Sequence, residues 1–220
     1  MNEIVDYYDS IAKIYDEDRF SNTYGKFIDQ QERLVLNKLL SNSNEKILDL
    51  ACGSGRLLNY ANLGSDASAE MIKLACIRFP EIEITLNDAE KTIYEDNSID
   101  TIISFHFFMH LEQNKIDKIL DECNRILKVN GRVIFDIPSK KRRNLFKYKS
   151  NEWHGAFSCT LKELKSNPNF KISKSYGIVF FPIHRFPKIT RKFFMKLDLI
   201  LANSFLREYS SYLIIEFHKK

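Results

Sequence analysis

The 220-residue chain predicts an α/β fold of the doubly wound, Rossmann-like kind, and three observations carry that expectation. Strand-period and helix-period stretches alternate from residue 45 onward, the pattern of a parallel sheet with helices on both faces. The segment ILDLACGSGRLL, residues 47–58, joins an apolar run to a glycine turn that opens a helix. Acidic residues follow successive strands, Asp49, Asp66 and Asp88, at the sheet edge where ligands enter such folds.

Strands are expected near residues 46–50, 61–65, 82–86, 99–105 and 131–137, with a last one in YLIIEFHKK at the carboxyl end. Between them, Met71, Leu74, Ala75 and Ile77 are spaced as a helix over 68–79, and Ile116, Ile119, Leu120, Cys123, Ile126 and Leu127 as another over 115–128, which Asn130-Gly131 stops. Before residue 45, NTYGKFIDQQERLVLNKLL predicts an amphipathic helix, preceded by a tyrosine-rich segment that forms a flexible helical lid. The chain divides into a lid over 1–44, a core over 45–138, a cap over 139–200 and a last-strand region over 201–220, all within one domain.

Composition excludes several classes. Apolar residues make up 44% of the chain, ordinary for a globular protein, and the longest apolar runs are far too short to span a bilayer. The amino terminus MNEIVDYYDS is acidic and polar, unlike a signal sequence, so the expected location is the cytoplasm. Cys52, Cys76, Cys123 and Cys159 lie far apart without a CxxC pair, which fits reduced thiols and neither disulfides nor zinc. A net charge of +4 is no mark of a polyanion binder. The basic stretch SKKRRNLFKYK, residues 139–149, reads as a solvated loop, with attraction of a phosphorylated acceptor or of RNA as lesser readings.

The glycine turn reads AxGxG and not GxGxxG, which disfavours a nicotinamide dinucleotide. Asp66 can hold a ribose diol, and Ser68 can cap the next helix. Asp88, in LNDAEK, can accept a hydrogen bond from an exocyclic amine. His106 and His110 have the i, i+4 spacing of a metal pair, but HFFMH lacks the glutamate of HExxH and has no evident third ligand, so no metal is expected.

In order and content these motifs resemble the class I S-adenosylmethionine-dependent methyltransferases, particularly the small-molecule group that includes the quinone-biosynthesis enzymes. Residues 47–55 are similar to the family's first motif, SDASAEM to its ribose-binding motif, NDAE to its adenine-binding motif, and ILKVNGRVIFDIP to its helix, glycine turn and fifth strand. YYDSIAKIYD, residues 7–16, is similar to the helix that covers the cofactor. The resemblance covers roughly residues 5–138.

It implies a seven-stranded, mostly parallel sheet with an antiparallel last strand, and S-adenosylmethionine as cofactor. Asp49, Gly53 and Gly55 would form the turn around its methionine moiety, Asp66 would hold its ribose and Asp88 with Ala89 its adenine, and Ala51, Ala67 and Met71 would also bind the cofactor. Ser104 and Phe105 would line the methionine end, and Tyr7, Tyr8 or Tyr15 would face the sulfonium, with Tyr15 counted among the cofactor contacts. Ala51 stands where the family usually has a glycine, and the short span from Gly55 to Asp66 leaves the first helix about two turns. His110 is the favoured base, ahead of His106, His154 and His184, and Tyr8, His106, Trp153, His154 and Arg185 are candidates for substrate contact. The expected reaction is methyl transfer to a small molecule (a sugar, nucleotide-linked sugar, lipid-like molecule or polyketide) by a monomer or homodimer. The alternatives are an RNA or protein methyltransferase, disfavoured by the lack of an NPPY-type motif, and a noncatalytic partner subunit that binds the same cofactor.

Overall fold

Apolar residues at period two build the centre of the sheet. In β1 (Ile47–Leu50) Leu48 and Leu50 point to one face and Ile47 to the other, and all are buried. The computed structural model describes residues 2–40, 44–148 and 155–220. β2 (Leu63–Asp66), β3 (Glu83–Leu86), β4 (Ile99–Ser104), β5 (Leu127–Pro138), β6 (Phe170–Ile178) and β7 (Tyr212–Lys219) complete a seven-stranded sheet in the order β3-β2-β1-β4-β5-β7-β6. β1 to β5 run parallel, and β7 pairs antiparallel with both β5 and β6. The strand order reverses between β1 and β4, so a crevice opens beyond their carboxyl ends.

The helices are α1 (Asn2–Phe20), α2 (Thr23–Leu39), α3 (Ala69–Arg78), α4 (Gln113–Ile126), α5 (Lys140–Leu145), α6 (Leu161–Leu164) and α7 (Lys188–Ala202). α4 places Ile116, Ile119, Leu120, Cys123 and Ile126 on the face formed by Leu48, Ile102, Val133 and Phe135. α2 covers the opposite face with Phe27, Ile28, Val35, Leu36 and Leu39 against Ile47, Ile103, Ile134 and Ile214. The segment expected as a lid therefore splits in two: α2 belongs to the core, and α1, with Ala12 as its one buried apolar residue among those described, lies on the surface over the crevice.

Other departures have local causes. Seven residues separate Gly55 from β2, and they fold into successive turns ending in one 3₁₀ turn at Leu58–Tyr60, not into two turns of α-helix. Asn130, at φ 65°, and Gly131 do not stop a helix; α4 ends at Ile126, and the pair lies inside β5 where its register against β4 shifts. Residues 170–178, assigned to the cap by sequence, form the edge strand β6, whose exposed Lys171 and Lys174 and whose register shift near residue 173 break the simple alternation. Cys52, Cys123 and Cys159 are buried free thiols, whereas Cys76 is exposed.

Gly25 lets α1 meet α2. A Cβ there would overlap the carbonyl oxygen of Arg19 and the Cα of Phe20, while the Gly25 N–H caps onto Asn22 Oδ1 at 2.9 Å. Gly25→Ala should therefore cost about 1–3 kcal/mol in urea unfolding, because backbone and not a pliable side chain must move; an unchanged midpoint would show that the two helices part freely.

Candidate functional site

The crevice floor is the turn after β1. Ala51, Gly53 and Gly55 have φ of 62°, 55° and 88°, the left-handed region that glycine tolerates best. A Cβ on Gly53 would touch nothing within 4 Å, so its missing side chain leaves open space, while one on Gly55 would press on Leu58 and Phe79. Gly53 thus lines the cleft, and Gly55 closes the turn behind it. Ala51 holds the same strained backbone with a methyl group, which accounts for glycine being usual there.

Asp66, at the end of β2, fixes that floor: Oδ2 accepts the Gly53 N–H at 2.7 Å and Oδ1 accepts the Ser68 N–H at 2.8 Å. Burial pushes its carboxyl up, against the pull of these N–H groups. Ser68 Oγ caps α3 by accepting the Met71 N–H at 3.1 Å and donates to Asp9 of α1 at 2.5 Å. Asp16 of α1 accepts from Ser54 Oγ and pairs with Arg78, each at 2.7 Å. Two carboxylates therefore fasten α1 over the crevice, and its Ile4, Val5, Tyr8 and Tyr15 become the roof.

Below that roof lies a cleft of about 100 Å³, lined on the floor by Ala51, Gly53, Asp66, Ala67 and Met71 and on the walls by Asn87, Ala89, Phe105, His106 and His110. A smaller space of about 50 Å³ shares Tyr15, Ala51, Gly53, Phe105 and His106 with it and adds Asp49. Two expected ligands stand elsewhere. Asp88 is exposed, outside the lining, and its Oδ1 accepts the Glu90 N–H at 2.9 Å; the neighbouring Asn87, Ala89 and Glu90 line the space. Ser104 donates to the Leu50 carbonyl at 2.8 Å and so ties β4 to β1. Asp49 is 2% exposed, and burial, reinforced by Asp66 and opposed by Arg56, pushes its carboxyl up to about 7.

The histidines divide by environment. His106, at φ 57°, lies between two buried carboxylates: Nε2 is 2.8 Å from Glu32 Oε1, Nδ1 is 3.7 Å from Asp136 Oδ2, and its backbone N–H donates to Asp136 Oδ1 at 2.6 Å. Burial acts to raise Glu32, but Arg56 at 2.8 Å and His106 outweigh it and hold the carboxyl at about 2. Burial and the Glu32 charge raise Asp136. Glu32, His106 and Asp136 lie close enough together to hold a metal ion, but their negative charge already faces a guanidinium and an imidazole. Sequence reading missed Glu32, Arg56 and Asp136; the one available signal was a charged residue on the apolar stripe of α2 and another inside the apolar strand IFDIP.

His110, the expected base, accepts the Gly155 N–H on Nδ1 at 3.0 Å, so the neutral ring carries its proton on Nε2. The Tyr8 ring stands 6.1 Å from it, edge-on. His184 packs on Tyr24 at 4.7 Å and Arg185 is exposed, both outside the cleft lining. Trp153 and His154 lie outside the described residues. The basic stretch is no free loop: Lys140 pairs with Glu163, Lys141 with Glu208, and Arg142 and Arg143 donate to the carbonyls of Tyr209 and Phe157.

The Asp49 carboxyl keeps its proton to about pH 7 when folded, against an ordinary value of 3.8, so stability falls as pH rises through that window. Asp49→Asn should abolish this term, its melting temperature exceeding the parent's by a margin that widens from pH 5 to pH 8; parallel curves would contradict the burial argument.

Residues 48–135 match the family described as Methyltransferase domain. An uncharacterized protein of Methanocaldococcus jannaschii is 34% identical over 61% of this chain and 51% of its own length. The demethylmenaquinone methyltransferase of Thermotoga maritima is 31% identical over 58% of each chain. The chain thus spans little more than half the length of these curated relatives. A solved Thermotoga maritima structure, an S-adenosylmethionine-dependent methyltransferase described as a possible histamine N-methyltransferase, has a TM-score of 0.71 at 18% identity, covering 96% of this chain and 98% of that one. Residues 48–135 carry the matched methyltransferase domain, and the fold is that of the solved S-adenosylmethionine-dependent methyltransferase.

Proposed function

We propose that the cleft binds S-adenosylmethionine and that the protein transfers the methyl group to a small, lipid-like acceptor. The observation that carries the cofactor assignment is the single lining formed by the strained turn at Ala51 and Gly53, the Asp66 carboxylate and the tyrosines of α1. Asp66 lines the space while its oxygens hold the Gly53 and Ser68 N–H groups, and the same carboxyl would accept a ribose hydroxyl. Asn87, Ala89 and Glu90 frame the adenine end, with Asp88 at the rim, and the Tyr15 and Tyr8 rings offer electron-rich faces to a cation.

The bound cofactor would supply an activated methyl group on a sulfonium. The protein's part is then positioning and exclusion of water, which the fastened roof provides. The acceptor side supports an apolar molecule: Ile4, Val5, Phe107 and Leu111 line the same space, and one relative acts, by its name, on demethylmenaquinone. His110, which lines the same space, would orient the acceptor beside the methyl group.

Asp66→Ala should weaken S-adenosylhomocysteine binding about tenfold or more, as expected for losing charge-assisted hydrogen bonds, in a calorimetric titration; equal affinity would sink the ribose assignment. Transfer of tritiated methyl groups should label a lipid extract and leave sugar nucleotides and RNA unlabelled, and the reverse pattern would replace the acceptor class. His110→Gln keeps a donor and should retain most transfer, whereas His110→Phe should not. If both fall about 100-fold or more, the ring acts as a base.

A further inference from the structure

α7 is apolar on both faces, which a surface helix of a self-contained domain is not. Its inner face is anchored: Phe194 and Met195 pack against the core, and the buried Asp198 accepts from Gln31 Nε2 at 2.7 Å and from the Phe181 N–H at 2.6 Å. Its outer face carries Ile189 (90% exposed), Phe193 (67%) and Ile200 (66%), spaced as one stripe, and Phe205 (88%) follows directly. Arg185, Lys188 and Lys196 stand exposed around the stripe and enter no ion pair among the described residues. Asp198 is the sole acid between residues 180 and 205.

The segment holding α7 connects β6 to β7 at Ile178 and Tyr212, the end of the sheet at which the cleft opens. The turn at Arg207–Tyr209 packs against both α7 and α5, and beside α5 stand exposed Leu145, Phe146 and Tyr148.

We infer that this face lies on an anionic lipid surface, with Ile189, Phe193, Ile200 and Phe205 entering the headgroup boundary and Arg185, Lys188 and Lys196 facing lipid phosphates. Exposed bulky apolar residues ringed by unpaired cations are what an interfacial helix needs. A second copy of this chain would bring these cations against their own counterparts, which disfavours a symmetric dimer here. No helix among the described residues is long and apolar enough to cross a membrane, so the contact is peripheral. The inference goes beyond the proposed reaction, and the two are compatible because a membrane-dissolved acceptor would lie beside the cleft.

Sedimentation with phosphatidylcholine vesicles, with and without phosphatidylglycerol, tests it. The protein should pellet with the anionic vesicles and be released by salt. Lys188→Gln and Lys196→Gln should each weaken partitioning about fivefold. Phe193→Ser with Ile200→Ser should weaken it about tenfold or more. All variants should bind S-adenosylhomocysteine as the parent does, because none lines the cleft. Equal pelleting with both vesicle types, or variants that pellet like the parent, would overturn the inference. A dimer that the Phe193→Ser, Ile200→Ser variant dissociates would also overturn it, assigning the face to a second copy. Failure of the parent to bind S-adenosylhomocysteine would strike the proposed function and leave the vesicle result standing.

Discussion

One carboxylate organises the cleft. By accepting N–H groups from Gly53 and Ser68, Asp66 joins the turn after β1 to the start of α3, two segments that the strand order alone would leave merely adjacent. Ser68 carries the connection onward to Asp9, so the floor and the roof share one hydrogen-bonded chain. Backbone held at positive φ is costly, and it persists where the surroundings over-determine it. Asp66 is one such determinant, and the packing of Leu58 and Phe79 behind Gly55 is another. The shape offered to a ligand follows from these constraints more than from the side chains that line it.

A second constraint lies on the far side of the floor. Arg56, Glu32, His106 and Asp136 come from the turn, α2, the end of β4 and β5, and they meet where little water reaches. Removing a buried charge from water costs several kcal/mol, and pairing offsets that only when each partner is in place, so the cluster specifies position more than it adds stability. It sets the backbone of His106 in the left-handed region and thereby turns the following residues, including Phe107 and His110, toward the cleft. α2 is held to the sheet by the same contacts and by its apolar stripe, which is why it behaves as core while α1 remains a cover.

Local rules explain what was legible in the sequence. β1 to β5, α3 and α4 follow from periodicity, and Asp66, Ser68 and Gly53 from their places after strands and before a helix. β6 and α7 were hidden because an edge strand rich in lysine and a helix apolar on both faces break the patterns by which strands and surface helices are found. Asp88 and Ser104 follow their strands as the sequence indicates, but the exposure of Asp88 outside the lining and the Ser104 bond to the Leu50 carbonyl are visible only in coordinates. The Glu32–His106–Asp136 arrangement joins positions 74 and 30 residues apart on three elements, and no spacing rule reports such a meeting. His110 shows the same limit at the level of one proton, since its tautomer is set by the N–H of Gly155 far along the chain.

The central claim is that the space between the Gly53 turn and α1 is shaped for S-adenosylmethionine. Calorimetric titration of the protein with S-adenosylmethionine, S-adenosylhomocysteine and NADH tests it most directly. Saturable binding of the first two at micromolar concentrations, with no heat from NADH, is the predicted result. NADH binding, or silence toward all three, would contradict it.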